Sequence, residues 1–342
     1  MPLATVGGVR TPPGGIRTIA PSHLPGPIFG PSAAPSAVPP TLPPPEPSGT
    51  PYHFATQHLY VAGFNNAAPN KFGHIWRYTL PITDSAQPPD VDLRLSNVPN
   101  GLAVDNEGNL FVAVIVPPNT TGDSLLEFAL PLASGSQKIA SGGTTPADAI
   151  AIDYHDRLFV TNPTSQTLDV YAHSIFTSTG PAFSMPDPFP GNPVDAAAGP
   201  GGEIFVTQYQ PSFGPGVAKL IKYQVPFSVT RQPVVVQDSL DTESFVGFTR
   251  LPQRIYLPQA TGTAIGVAAF PYEQMLFFMP NGPGDIQFGR VTIDNDDDLY
   301  VLAFDGAHWF VNVYYRPHGP SSQPAWTVPV PADTATGIAI GP

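Results

Sequence analysis

A phrase of about fourteen residues recurs along this chain, and that recurrence constrains the fold more than any other feature of the sequence. GLAVDNEGNLFVAV (101–114) returns as AIAIDYHDRLFVTN (149–162), as DAAAGPGGEIFVTQ (195–208) and as RVTIDNDDDLYVLA (290–303), with a degenerate copy GFTRLPQRIYLPQ at 247–259. Each copy holds an alternating apolar run, a turn rich in Asp, Asn or Gly, and a second run of the LFV type. That is the pattern of a β-hairpin. The aromatic residue of the second run marks the units at Tyr60, Phe111, Phe159, Phe205, Tyr256 and Tyr300, at intervals of 51, 48, 46, 51 and 44 residues. Behind each marker come a third run, such as IWRYTL (75–80) or FVNVYY (310–315), and a weaker fourth, such as VDLRL (91–95) or AWTVP (325–329). Four short strands at this period make the blade of a β-propeller.

The chain ends predict how the ring closes. HLYVAG (58–63) has no room for a first strand before it, whereas TGIAIGP (336–342) reads as a first strand with no second strand after it. Pairing the two completes a sixth blade and leaves no open edge inside the ring. The fold class is therefore all-β: a six-bladed propeller of four antiparallel strands per blade, closed by the C-terminal strand and spanning residues 53–342. Residues 1–52 carry 15 of the 46 prolines. Proline fixes φ and removes backbone donors, so this segment reads as a disordered Pro-rich tail or linker sampling polyproline II.

Composition narrows the chemistry. The chain has no cysteine, which excludes disulfides, thiol catalysis and Cys-held metals. Fourteen basic against 26 acidic residues give a net charge of −12, which disfavours nucleic acid and anionic lipid as partners. No apolar run reaches the ~20 residues of a membrane span, and the N-terminus lacks the apolar stretch of a secretory signal. Low charge, abundant Pro, Thr, Ser and Gln, and a stalk-like tail point to the cell exterior or envelope.

The phrase PNGLAVDNEGNLFVA (99–113) resembles the repeat of NHL-type six-bladed propellers, and also the related phrase of the senescence-marker/gluconolactonase family. The resemblance covers about residues 53–342. It implies a fold shared by lactonases, lyases, and carbohydrate or protein binders. In the gluconolactonase-like enzymes a divalent metal at the channel mouth is held by Glu, Asn and Asp residues just before the first strands. By that resemblance Asn100 and Asp148, each 11 residues before its aromatic marker, take the phase of metal ligands. The same phase in the other blades gives Val194, Phe245, Gly289 and Thr336. Asp195 falls one residue out of register and, without a bulge, points away. Two oxygen-bearing positions of six are few for a calcium-like ion, which wants ~6–8 oxygens.

The remaining constellations are weaker. The acidic run Asp294–Asp298 aligns with DNEGN (105–109) and DYHDR (153–157), so it reads as an Asp-rich hairpin turn rather than a calcium loop. The eight histidines form no tight ligand pair; His74 and His308 are read near the loops that open on the channel mouth. Loops 63–73, 113–123, 207–218 and 303–309 form the expected binding face, bearing Phe64, Asn65, Asn66, Asn119, Tyr209, Phe213 and Trp309. Aromatic rings beside carboxamides suit carbohydrate or protein surfaces. The expectation is thus a non-catalytic binding or scaffold propeller without a cofactor. Asn65, Asn66, Asn100, Asp148, Tyr209 and Trp309 are its ligand-binding residues, and a protein or glycan is its partner. The alternative is a metal-assisted hydrolase or lactonase in which Asn100 and Asp148 hold a divalent cation such as Ca²⁺.

Overall fold

A computed structural model describes residues 56–66, 72–115, 123–143, 147–172, 180–189, 191–209, 218–240, 245–249, 253–258, 264–280, 282, 284 and 287–342. The Pro-rich segment 1–52, the boundary at 52/53, Asn119 and Phe213 lie outside the described residues. In chain order the strands are β1 (His58–Asn65), β2 (Phe72–Thr79), β3 (Val91–Leu95), β4 (Val98–Val104), β5 (Asn109–Ile115), β6 (Leu125–Ala129), β7 (Ala140–Gly142) and β8 (Ile150–Ile152). Next come β9 (Leu158–Asn162), β10 (Thr167–Tyr171), β11 (Phe183–Pro186), β12 (Asn192–Ala198), β13 (Ile204–Tyr209), β14 (Ala218–Tyr223), β15 (Val234–Leu240) and β16 (Gly247–Thr249). The last are β17 (Arg254–Pro258), β18 (Ala264–Ala269), β19 (Met275–Pro280), β20 (Gln287–Ile293), β21 (Leu299–Phe304), β22 (Trp309–Tyr314), β23 (Trp326–Val330) and β24 (Thr334–Gly341). Among the described residues no helix is long and apolar enough to cross a membrane.

These strands form six four-stranded antiparallel sheets. Five are sequential, and the sixth has the order β24-β1-β2-β3, so the C-terminal strand closes the first blade as the sequence predicts. β1 pairs with β24 from His58↔Gly341 to Phe64↔Thr334, and the Tyr60 hydroxyl donates to the Pro342 carbonyl at 2.5 Å. The inner strands β4, β8, β12, β16, β20 and β24 line the central channel.

Alternation along each strand explains the ring. On β1, Leu59 and Val61 face the sixth blade, while Tyr60 and Ala62 face the second. Successive side chains point to opposite faces of a strand, so every blade is apolar on both sides. Each face must be covered by a neighbour. Six apolar clusters result, one between each pair of adjacent blades. The marker aromatics are their anchors: Tyr60, Phe111, Phe159, Phe205, Tyr256 and Tyr300 are all fully buried.

The repeated aspartates hold the hairpin turns on the face opposite the channel mouth. Asp105 accepts from the Asn109 backbone N–H (2.7 Å), Asp153 from those of His155 and Arg157, and Asp294 from those of Asp296 and Asp298 and from the Tyr300 hydroxyl. One position of the turn takes a left-handed φ in four blades: Gly108 (84°), Asp156 (58°), Gly202 (81°) and Asp297 (59°). Gly and Asp are the residues that tolerate it. The acidic run 294–298 is thus a turn, as its alignment predicts.

A buried histidine ties the fifth blade to the sixth. The Tyr256 hydroxyl and His318 Nδ1 are 2.7 Å apart, and His318 Nε2 lies 3.0 Å from the Tyr314 carbonyl. A carbonyl only accepts, so Nε2–H donates to it; in the neutral ring that burial favours, Nδ1 accepts from the phenol. Burial holds the His318 pKa below its ordinary value of 6.5, a shift reinforced by Arg254 and Arg316 and opposed by the Tyr314 carbonyl. Below about pH 6.5 the unfolded chain takes up a proton that the folded chain refuses. Stability contributed by the neutral ring is then present at pH 7.5 and lost on acidification, by at most about 1.4 kcal/mol per pH unit. Thermal unfolding of the wild type and His318→Gln between pH 7.5 and 5 should show the variant less stable at neutral pH, with the gap closing as pH falls.

Candidate functional site

At one end of the channel a cavity of about 270 Å³ opens between the inner strands. Its wall includes Asn100, Asp148, Val194, Phe245, Gly289 and Thr336. These are the six residues at the common phase, so repeat arithmetic brought all of them to one ring. The local cause is a set of β-bulges. Pairing register slips between Pro99 and Gly101, between Pro193 and Asp195, between Phe288 and Val291, and opposite Thr336 at Ala62/Gly63. A bulge inserts one residue, bends the strand and re-aims its side chains. Prolines 99 and 193 sit beside two of them, where a strand tolerates a missing donor. In the third and fifth blades the phase residues precede the strand: Asp148 N–H donates to the Thr161 carbonyl (3.4 Å) and Phe245 N–H to that of Pro258 (3.0 Å).

The bulge at Val194 is the condition on which the orientation of Asp195 depends. Asp195 does not point away; it lines the channel one layer below the mouth, where it meets Arg290. Val246 and Arg290 line the channel with it, and all three stand one residue beyond their phase positions. Arg290 Nε lies 3.3 Å from Asp195 Oδ1, and Nη2 donates to the carbonyls of Asp148 (3.1 Å) and Val194 (3.0 Å). Nη1 lies over Gly101, where a Cβ would sit 2.4 Å from it, so only glycine leaves room for the guanidinium. Arg290 thus reaches from the sixth blade to the second, third and fourth. It forms the floor of the cavity and separates it from a second space of about 240 Å³ further along the channel. Burial raises the Asp195 carboxyl, opposed by Arg290 and by the N–H of Val246. Burial also raises the Asp148 carboxyl, again opposed by Arg290.

Tyr209 and Trp309 reach the cavity from the junctions of second and third strands, as expected. Trp309 is also packed: its ring lies 5.3 Å from that of Phe304, and its edge is 3.3 Å from the Cβ position of Gly289. Asn65 and Asn66 do not line the cavity. Asn65 Oδ1 accepts from the Asp333 N–H (3.2 Å), and the Asn66 N–H donates to the Asp333 carboxylate (2.5 Å), fixing the β23–β24 connection. His74 sits within β2, stacked on Trp76 and 2.8 Å from Asp92 on the outer strand, and does not line the cavity. Sequence reasoning missed Arg290, Asn192, Gln287 and Phe288. A signal for the first existed: Asp195 and Arg290 are the two charged residues of the six inner strands, and they are opposite in sign.

The residues at the mouth are a poor donor set for a divalent cation. Asn100 Nδ2 already donates to Asp148 Oδ1 (3.4 Å), the Thr336 hydroxyl donates to the Pro99 carbonyl, and a guanidinium lies beneath. Among the described residues no group of three or more His, Asp or Glu side chains converges as a metal site would require.

The fold and the mouth together define a six-bladed β-propeller with an aromatic and carboxamide-lined cavity floored by a buried ion pair. A solved nidogen/laminin complex has a similar chain, at 14% identity and a TM-score of 0.57 over 84% of this chain and 98% of that one. A protein of unknown function from Bacteroides caccae is similar at 9% identity and a TM-score of 0.57, over 84% and 99% respectively. At these identities the likeness concerns the fold. No protein-family model matches the sequence, and no curated protein matches it.

Two outcomes are expected. Arg290→Met strands the Asp195 carboxylate in the channel and should cost about 3–5 kcal/mol in urea denaturation at pH 7.5. Part of the loss should return toward pH 5, because protonating Asp195 removes the buried charge; Asp195→Asn in the same chain should restore most of it. Adding Ca²⁺, Mg²⁺, Mn²⁺ or Zn²⁺ to EDTA-treated protein should leave the unfolding midpoint unchanged. A site at a hundredfold excess over its Kd would add about 2.7 kcal/mol, and a rise of several degrees abolished by Asp148→Ala would establish a cation there.

Proposed function

We propose that this chain is a non-catalytic binding propeller that recognises a protein or glycan through its channel mouth. The observation that carries the reading is the mouth cavity, in which inner-strand ends and bulges together with the second-to-third-strand junctions gather carboxamides, a carboxylate and four aromatic rings. Concave sites with apolar walls and a few fixed polar groups are where propellers and other folds bind ligands. Its charged floor is already paired within the protein, which suits binding more than proton transfer or nucleophilic attack. The similar chain solved in a nidogen/laminin complex supports the reading by analogy of fold. We extend the reading to an NHL-type lineage and to the cell exterior or envelope, on the repeat phrase and the low-charge, Pro-rich composition.

Val194 lines the cavity and is half-buried, so Val194→Trp should fill the mouth while sparing the blade interfaces. Full-length protein tested against an array of glycans and extracellular protein domains should retain at least one ligand. The variant should lose it by tenfold or more with an unfolding midpoint near that of the wild type. Ligand binding that survives the blocked mouth would place recognition elsewhere.

A further inference from the structure

The cavity has a charge balance and a size that select among ligands. Arg290 and Asp195 neutralise each other at the floor, which leaves the Asp148 carboxylate as the remaining charge on the wall. The Arg290 side chain is 8% exposed. Its Nη1 carries two N–H groups for which no acceptor is present among the described residues, whereas Nε and Nη2 are engaged. A buried guanidinium needs acceptors for its donors, so the floor calls for a ligand or solvent oxygen. On the wall, Asp148 keeps one carboxylate oxygen beyond the one facing Asn100, and Asn192 and Gln287 offer both amide functions. Trp309 and Tyr209 add aromatic surface from the sixth and fourth blades.

The geometry points to the terminal ring of a neutral glycan as the ligand of this cavity. Asp148 accepts from its hydroxyls, Arg290 donates to one of its oxygens, and Trp309 supplies the stacking face. The inference rests on the binding reading above and narrows it. A sugar ring presents alternating donors and acceptors on its rim and C–H surface on its faces, which matches a wall of carboxylate, carboxamides and indole. At about 270 Å³ the cavity falls just below the range of about 300–1,000 Å³ that holds drug-sized ligands, so one ring enters and the rest of a chain stays outside. Acidic sugars are disfavoured, because the charge of Arg290 is already neutralised by Asp195 and a uronate would face Asp148 with like charge. The same balance disfavours a carboxylate-terminated peptide.

The test uses the full chain on an array pairing neutral oligosaccharides with their uronate counterparts, with methyl glycosides of neutral hexoses and N-acetylhexosamines as soluble competitors. The expected result is retention of a neutral glycan, competition by the matching methyl glycoside, and binding at least about tenfold weaker to the uronate partner. Asp148→Asn and Trp309→Ala should each weaken binding about tenfold or more. Trp309→Phe, which keeps a ring against Gly289, should recover part of it, and near-ultraviolet circular dichroism should confirm that each variant is folded. Preference for the uronate, or insensitivity to Asp148→Asn and Trp309→Ala, overturns the neutral-glycan assignment. A protein domain displaced by Val194→Trp with no glycan retained overturns it too, while leaving the mouth as the binding site. If Val194→Trp displaces neither kind of ligand, both readings fall.

Discussion

The backbone ladder between β1 and β24 joins residues about 280 positions apart, from His58↔Gly341 to Phe64↔Thr334. Every other blade is made from consecutive strands and can begin to form locally. The first cannot, because its innermost strand is the last segment of the chain. Without that strand β1 would expose a row of unpaired N–H and C=O groups inside the ring. The first-to-second interface would also lose Ala339, and the first-to-sixth interface Ala335 and Ile338. A four-stranded sheet apolar on both faces has no stable existence alone, so a failure at this seam is felt at each interface in turn. The Tyr60 hydroxyl on the Pro342 carbonyl fixes the last residue of the chain to the marker aromatic of the first blade.

Closure has a second consequence at the axis. Six inner strands brought together leave a channel walled mostly by Gly, Ala, Val, Leu and Ile, with Phe248 and Thr292, too wide to be filled by those side chains. Arg290 crosses it and bonds to backbone carbonyls of two other blades as well as to Asp195. A buried ion pair of this kind contributes little net stability compared with apolar packing, because desolvation opposes the Coulomb gain. Its effect here is geometric. It divides the channel, gives the mouth a fixed polar floor, and holds the third and fourth blades at a set distance from the sixth.

Much of the fold was legible because the repeat period, the apolar alternation and the Asp/Gly turns all state the same unit. The six aromatics predicted as markers are the six buried anchors, and the weak fourth runs became outer strands except in the second blade, where the run SQKIA (136–140) shares only Ala140 with the outer strand Ala140–Gly142. The site was legible only in part. Counting 11 residues back from five of the aromatics, and taking the same phase on the closing strand for Tyr60, found the ring of the mouth, since that offset depends on local strand geometry. It left the orientation of Asp195 open, because a bulge shifts side chains by one residue and leaves no reliable mark beyond Pro193. It also assigned Asn65 and Asn66 to the ligand, whereas their neighbour across the closing blade, Asp333, is 267 or more residues away in sequence.

The sequence by itself determined the number of blades, the strands within each, the turns, and the end at which the ring closes. These are consequences of short-range periodicity, which each repeat restates independently. Tertiary structure alone decided the character of the mouth. What surrounds Asn100 and Asp148 depends on Arg290, which belongs to another blade and reaches across the axis to the Asp148 carbonyl. Local pattern carries no record of what stands on the far side of a channel, since that neighbour is set by closing the ring.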